Sequence, residues 1–175
     1  FGVLFFLSNL DHDKNIDLPQ AFVLTALSWL SIAIFGSLPF IFSELNLKFT
    51  DAFFESMSGI TTTGSTIITD LDNAPKAILL WRAILQWLGG IGIILMAITL
   101  MPIMNIGGMQ LFKISSNDNA EKILPKSKEV SFRLIIIYSL LTFVCAIFYK
   151  LFGMSYFDSL THSMTTIATG GFSNY

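Results

Sequence analysis

In 175 residues, 53% of side chains are hydrophobic and 13% charged, against roughly 25% charged in an ordinary soluble domain. So apolar a chain suits a bilayer better than water. A net charge of −2 lacks the basic excess of a nucleic-acid surface, so no nucleic-acid partner is expected. The single cysteine, Cys145, excludes an internal disulfide framework.

Residues 1–17 read as the end of a preceding membrane segment followed by a short cytoplasmic loop. That loop, DHDKNID, lacks the glycine and distal glutamate of a calcium loop and reads as a solvated connection. The chain opens on Phe1 and stops two residues after a Thr/Gly run, so it reads as a piece of a longer protein. Leu18 to Ser43 holds no charge over 26 residues, more than the roughly 20 needed to cross the hydrocarbon core. Pro19 suits the first turn of that helix, and Gly36 with Pro39 could kink its far end.

Phe49 to Thr66, FTDAFFESMSGITTTGST, is the organising stretch. A helix from Asp51 to Gly59 is only about 14 Å long, too short to span. It carries Glu55 and runs into Thr61-Thr62-Thr63-Gly64-Ser65-Thr66. Irregular backbone at membrane depth requires burial in protein or an aqueous cavity. This stretch therefore reads as a re-entrant loop.

Asp70 to Lys76 is a surface turn on the outer side. A second span runs from about Ala77 to Met101, with Arg82 placed to snorkel near its entrance. Gly89, Gly90 and Gly92 mark a close backbone approach. Residues 113–133 carry Lys113, Lys122, Lys126, Lys128 and Arg133, which makes this loop cytoplasmic by the positive-inside rule. Leu134 to Phe157 crosses back, with Cys145 a buried small hydrophobe in LLTFVCAIF.

The organising stretch then returns as YFDSLTHSMTTIATGGFS, Tyr156 to Ser173. At an offset of 107 residues, six of eighteen positions are identical, including Asp51/Asp158, Thr62/Thr169 and Gly64/Gly171. The chain divides into a first span–pore-loop–span unit (18–112), the loop 113–133, and a second unit (134–175) that stops after its loop. The fold class is all-α integral membrane, built from repeated helix–re-entrant loop–helix units like those of potassium channels. Asp51 and Asp158 open their short helices as N-caps. Glu55 and its repeat partner His162 read as packing or network residues.

Extended backbone rich in glycine can turn successive carbonyls to one side, where a dehydrated cation satisfies them. Such a loop, repeated, reads as an ion filter. The runs FFESMSGITTTGST, LLWRAILQWLGGIGIILMAITLMP, GGMQLF and HSMTTIATGGFS resemble the Trk-type potassium-uptake transporters, in the superfamily that includes Ktr and HKT transporters. The resemblance covers nearly the whole chain from about Pro19. It implies four such units around one ion path in the inner membrane, often as a homodimer, with a cytosolic nucleotide-binding RCK-type regulatory subunit as partner. It implies potassium as the transported ligand, bound at Thr62, Thr63, Gly64, Thr169, Gly170 and Gly171, and no cofactor in this chain. Gly64 and Gly171 occupy the positions of the family's filter glycine, where some sodium-preferring HKT relatives carry serine. The family's gating loop and pore arginine belong to later units.

Two other classes compete. A sodium- or proton-coupled secondary transporter can also use re-entrant loops, but its inverted repeats do not fit two loops entering from one side. An intramembrane enzyme needs a nucleophile–base pair, and none can be placed among Asp158, His162, Glu55 and the threonines. No enzymatic activity is expected.

Overall fold

The computed structural model describes residues 18–104 and 123–175. The expected membrane segment and loop in residues 1–17, the GGMQLF run, Lys113 and Lys122 lie outside the described residues. Among the described residues five helices follow in order: α1 (Leu18–Ile41), α2 (Phe49–Ile60), α3 (Lys76–Met104), α4 (Ile123–Leu151) and α5 (Tyr156–Ile167). Three contain 23-residue stretches long and apolar enough to cross a membrane: Pro19–Ile41, Lys76–Ile98 and Glu129–Leu151. The short α2 and α5, each 12 residues, reach about 18 Å, little more than half the bilayer core.

The most buried span is α3; α1 and α4 turn most of their apolar side chains outward. It packs against both short helices, while α2 also meets α1 and α5 also meets α4. Phe40, Ala52, Ile68, Ile78 and Leu85 form the apolar core of the first unit. Gly36 lets α2 approach α1, since a Cβ there would stand 2.5 Å from Ser56 Oγ. Trp81 Nε1 donates to the Gly36 carbonyl at 2.9 Å and ties α3 to the same place. Across the molecule, Trp87 Nε1 donates to Thr142 Oγ1 at 3.0 Å, and Tyr138 Oη donates to the Trp87 carbonyl at 3.1 Å.

Three local expectations are corrected. The third span was expected from Leu134 to Phe157, after a loop reaching residue 133, but α4 runs from Ile123 to Leu151. Its polar start is helical because Pro125 falls in the first turn, where its missing N–H costs nothing, and Glu129 pairs with Arg133 one turn on. Its far end stops at Gly153, in the left-handed region at φ 101°. The aspartates are not caps. The α2 cap is Lys48, which makes no side-chain cap bond; the α5 cap is Ser155, whose Oγ accepts from the Asp158 N–H at 3.1 Å and donates to its carboxylate. Both aspartates stand in the first turn, where a carboxylate still favours the positive end of the helix. Cys145 is half-buried, because α4 packs through one face only.

Candidate functional site

Both short helices end by the same device. The N–H groups of Thr61, Thr62 and Thr63 bond to the carbonyls of Met57, Gly59 and Ser58 at 2.9, 3.0 and 2.9 Å. At the offset of 107, Ala168, Thr169 and Gly170 bond to Met164, Thr166 and Thr165 at 3.1, 2.9 and 3.0 Å. The crossed pair of bonds, one reaching back five residues and one three, is a Schellman cap. Its left-handed residue is usually glycine, but here it is threonine: φ is 55° at Thr62 and 56° at Thr169. A left-handed β-branched residue costs about 1–2 kcal/mol.

Two residues later the chain turns left-handed again, at Gly64 (φ 81°) and Gly171 (φ 76°). Thr63 and Gly170 between them are not left-handed. Sequence reasoning had assigned the unusual dihedrals to glycine and missed the threonines. The signal was available, since Thr62 and Thr169 are one of the six identities of the repeat.

Of the six residues expected to bind the ion, the structure brings Gly64 and Gly170 together. A Cβ on Gly64 would lie 1.9 Å from the Gly170 carbonyl oxygen, so the two loops abut there. Gly171 has nothing within 4 Å of the same construction. Thr63 Oγ1 shares a 2.8 Å bond with Thr61 Oγ1 rather than reaching the second loop.

Behind the first loop, Glu55 is fully buried. Its carboxylate accepts from Thr66 Oγ1 at 2.9 and 3.1 Å and from the Ile67 N–H at 3.0 Å. The same carboxylate takes a 2.7 Å charge-assisted bond from Arg82 Nε. The expected snorkelling of Arg82 is therefore wrong: the side chain is 1% exposed. It turned inward because its partner waits on α2, and a buried charge is tolerable only when paired. Arg82 Nη1 also donates to the Ser173 carbonyl of the second loop at 2.8 Å, and its guanidinium lies 4.1 Å from the Phe172 ring centre. Gln86, one turn further and fully buried, accepts from the Phe172 N–H at 3.1 Å. Nothing marked Gln86 in advance beyond its four-residue spacing from Arg82 in an apolar run, which places both on one helix face.

The second loop has its own bracket. His162, at the repeat position of Glu55, lies 3.3 Å from Ser173 Oγ through Nε2 and 3.0 Å from the Asp158 carbonyl through Nδ1. Its network role thus agrees with the sequence reading. Beside the start of α5, a cavity of about 330 Å³ is lined by Asp72, Lys76, Asp158, Asn174 and Tyr175 among others. The hydrogen bond from Ser155 holds the Asp158 carboxyl below its usual range, helped by Asn174 Nδ2 at 2.7 Å. No cluster of potential metal-ligating side chains occurs among the described residues.

The glycines of α3 behave unequally. A Cβ on Gly89 would meet the Ile60 carbonyl oxygen at 1.9 Å, and one on Gly90 would meet Tyr138 Oη at 2.6 Å and Ala168 Cα at 3.0 Å. One on Gly92 would make only ordinary contact with Trp29 at 3.8 Å. The expected close approach is thus real at Gly89 and Gly90, which receive the ends of the two pore helices.

The family model for TrkH, described as cation transport protein, matches residues 2–175. The chain belongs to the TrkH family. It is 47% identical over 161 residues to the Trk system potassium uptake protein TrkH of Escherichia coli K12, covering 89% of this chain and 33% of that protein. It is 46% identical over 155 residues to TrkI of Halomonas elongata, covering 89% and 32%. The crystal structure of the potassium transporter TrkH from Vibrio parahaemolyticus superposes with a TM-score of 0.77 at 40% identity, covering 99% of this chain and 36% of that one. The TrkH-family chain described here thus spans about a third of the length of these relatives. It is an all-α membrane protein with pore-loop architecture.

Proposed function

We propose that this chain supplies two consecutive filter loops of a potassium-uptake pore in the inner membrane. The observation that carries the reading is the paired backbone: left-handed, ordinary, left-handed at residues 62–64 and again at 169–171. In an extended strand successive carbonyls point to opposite sides; reversing the hand at alternate residues brings them to one side. A row of oxygens on one side can replace the hydration shell of a cation. The C-terminal, negative ends of α2 and α5 run directly into these loops and add attraction for positive charge. Potassium is the cation because the relatives are named potassium uptake proteins.

Thr62, Thr63, Gly64, Thr169, Gly170 and Gly171 are the ion-binding positions in this reading, with further loops supplied by the rest of the protein. The protein acts as a transporter and not as an enzyme, assembles as a homodimer and takes a cytosolic nucleotide-binding RCK-type regulatory subunit. The competing design, a coupled secondary transporter on inverted repeats, is disfavoured because two spans, α3 and α4, separate the short helices and bring the second loop in from the same side as the first.

The test is competitive potassium and sodium uptake by the full-length protein in a host lacking potassium uptake. Gly64→Ser and Gly171→Ser each put a side chain on a left-handed residue and disturb the carbonyl row. A differential change of about 1.4 kcal/mol moves the potassium/sodium ratio tenfold, and each variant is expected to relax selectivity toward sodium. Wild-type selectivity and affinity in both would refute the pore reading.

A further inference from the structure

The hydrogen bonds at the ends of α2 and α5 fix the shape of each loop but not the position of one loop against the other. For a filter built from separate loops, the second quantity matters as much, since cavity size and carbonyl geometry set discrimination. Arg82 and Gln86, one turn apart on α3, reach both loops from the same buried face. Through Glu55, Arg82 holds Thr66 and Ile67 behind the first loop; directly, it holds the Ser173 carbonyl of the second. Gln86 takes the Phe172 N–H, and its amide fills the space beside Gly170: a Cβ there would lie 2.4–2.6 Å from Gln86 Cδ, Oε1 and Nε2. The same Nε2 is 3.7 Å from where a Cβ on Gly64 would be.

The amide orientation follows from chemistry, because only Oε1 can accept from Phe172. That leaves Nε2 without an acceptor among the described residues, as is one nitrogen of Arg82, Nη2. Leaving these two donors buried and unsatisfied costs about 1–3 kcal/mol each, a penalty carried for the bonds the same side chains make to Glu55, the Ser173 carbonyl and the Phe172 N–H. Polar side chains at this depth are expensive, so they point to a role.

Resting on the pore reading, we propose that Arg82 and Gln86 are positioning residues that set the second filter loop against the first and thereby set ion selectivity. Neither touches the ion. Both act through the loop backbone.

The experiment is competitive potassium/sodium uptake by the full-length protein, normalised to protein in the membrane, for Gln86→Met, Gln86→Glu and Arg82→Lys beside Gly64→Ser. Gln86→Met keeps the volume and loses the acceptor; it should lower the potassium/sodium ratio about tenfold, equivalent to 1.4 kcal/mol. Gln86→Glu still accepts from Phe172 and should recover most of that loss. Arg82→Lys keeps the charge opposite Glu55 but replaces the guanidinium fork by a point donor, so it should lower the ratio as well. If Gln86→Met and Arg82→Lys transport with the wild-type ratio while Gly64→Ser does not, the positioning role is refuted and the pore stands. If Gly64→Ser also keeps the wild-type ratio, the pore reading itself has failed. Disappearance of both α3 variants from the membrane would make the pair a folding element, which equally overturns the proposal.

Discussion

In the first unit the segment leaving the loop is gripped by a carboxylate: Glu55 takes Thr66 Oγ1 and the Ile67 N–H and is itself paired with Arg82. In the second, the same repeat position is His162, which reaches the hydroxyl of Ser173, the counterpart of Thr66. The left-handed residues match between the units to within a few degrees of φ, and the hydrogen bonds that end the helices to within tenths of an ångström. Closely similar backbone is thus held by an ion pair in one unit and by an imidazole–hydroxyl contact in the other. The loop conformation is what the repeat preserves, and the chemistry behind it is free to differ.

The largest expected effect separates the brackets. Glu55→Gln leaves the Arg82 charge buried without its partner, which costs about 3–5 kcal/mol. His162→Gln gives up a hydrogen bond worth about 1 kcal/mol. Measured as the temperature at which half of the detergent-solubilised protein remains monodisperse, the first variant should fall far more than the second. Equal losses would abolish the distinction between the brackets.

A second contrast concerns what surrounds the glycines. Gly171→Ala meets no atom within 4 Å and pays only for a left-handed side chain, about 1–2 kcal/mol. Gly64→Ala carries that cost and also drives a methyl against the Gly170 carbonyl, an overpacking cost of about 1–3 kcal/mol more. The same thermal assay should rank Gly64→Ala below Gly171→Ala; the reverse order would mean that the loops do not abut at Gly64.

The smallest effect tests sameness instead of difference. Thr62→Gly and Thr169→Gly each place the usual residue in a Schellman cap and should raise stability by about 1 kcal/mol. The two gains should be equal, because the φ values are 55° and 56°. A gain in one unit alone would show that the two backbones are not equivalent.

These contrasts also explain what could be read from the sequence. Spans were legible as statements about where charge is absent and for how long, and the re-entrant helices because a charged helix too short to span runs into Thr and Gly. The loops were legible because a repeated Thr/Gly run says the same thing twice. Arg82 was not, because its partner Glu55 lies on a different helix and nothing local distinguishes a paired buried cation from a snorkelling one. Gln86 was missed for a similar reason: its ligand is the backbone N–H of Phe172, and a backbone group leaves no mark in composition. The start of α4 was misjudged because Lys and Glu serve a solvated helix as well as a loop.

Gly89 and Gly90 have a mechanical consequence. They let α3 touch the end of α2 and the start of the second loop through main-chain atoms, at Ile60 and Ala168. A contact through side chains can absorb a displacement by a change of rotamer; a contact between main chains has no such slack. A displacement of either helix end therefore meets the α3 main chain directly. In the pore reading, two loops backed by one such helix are expected to shift together.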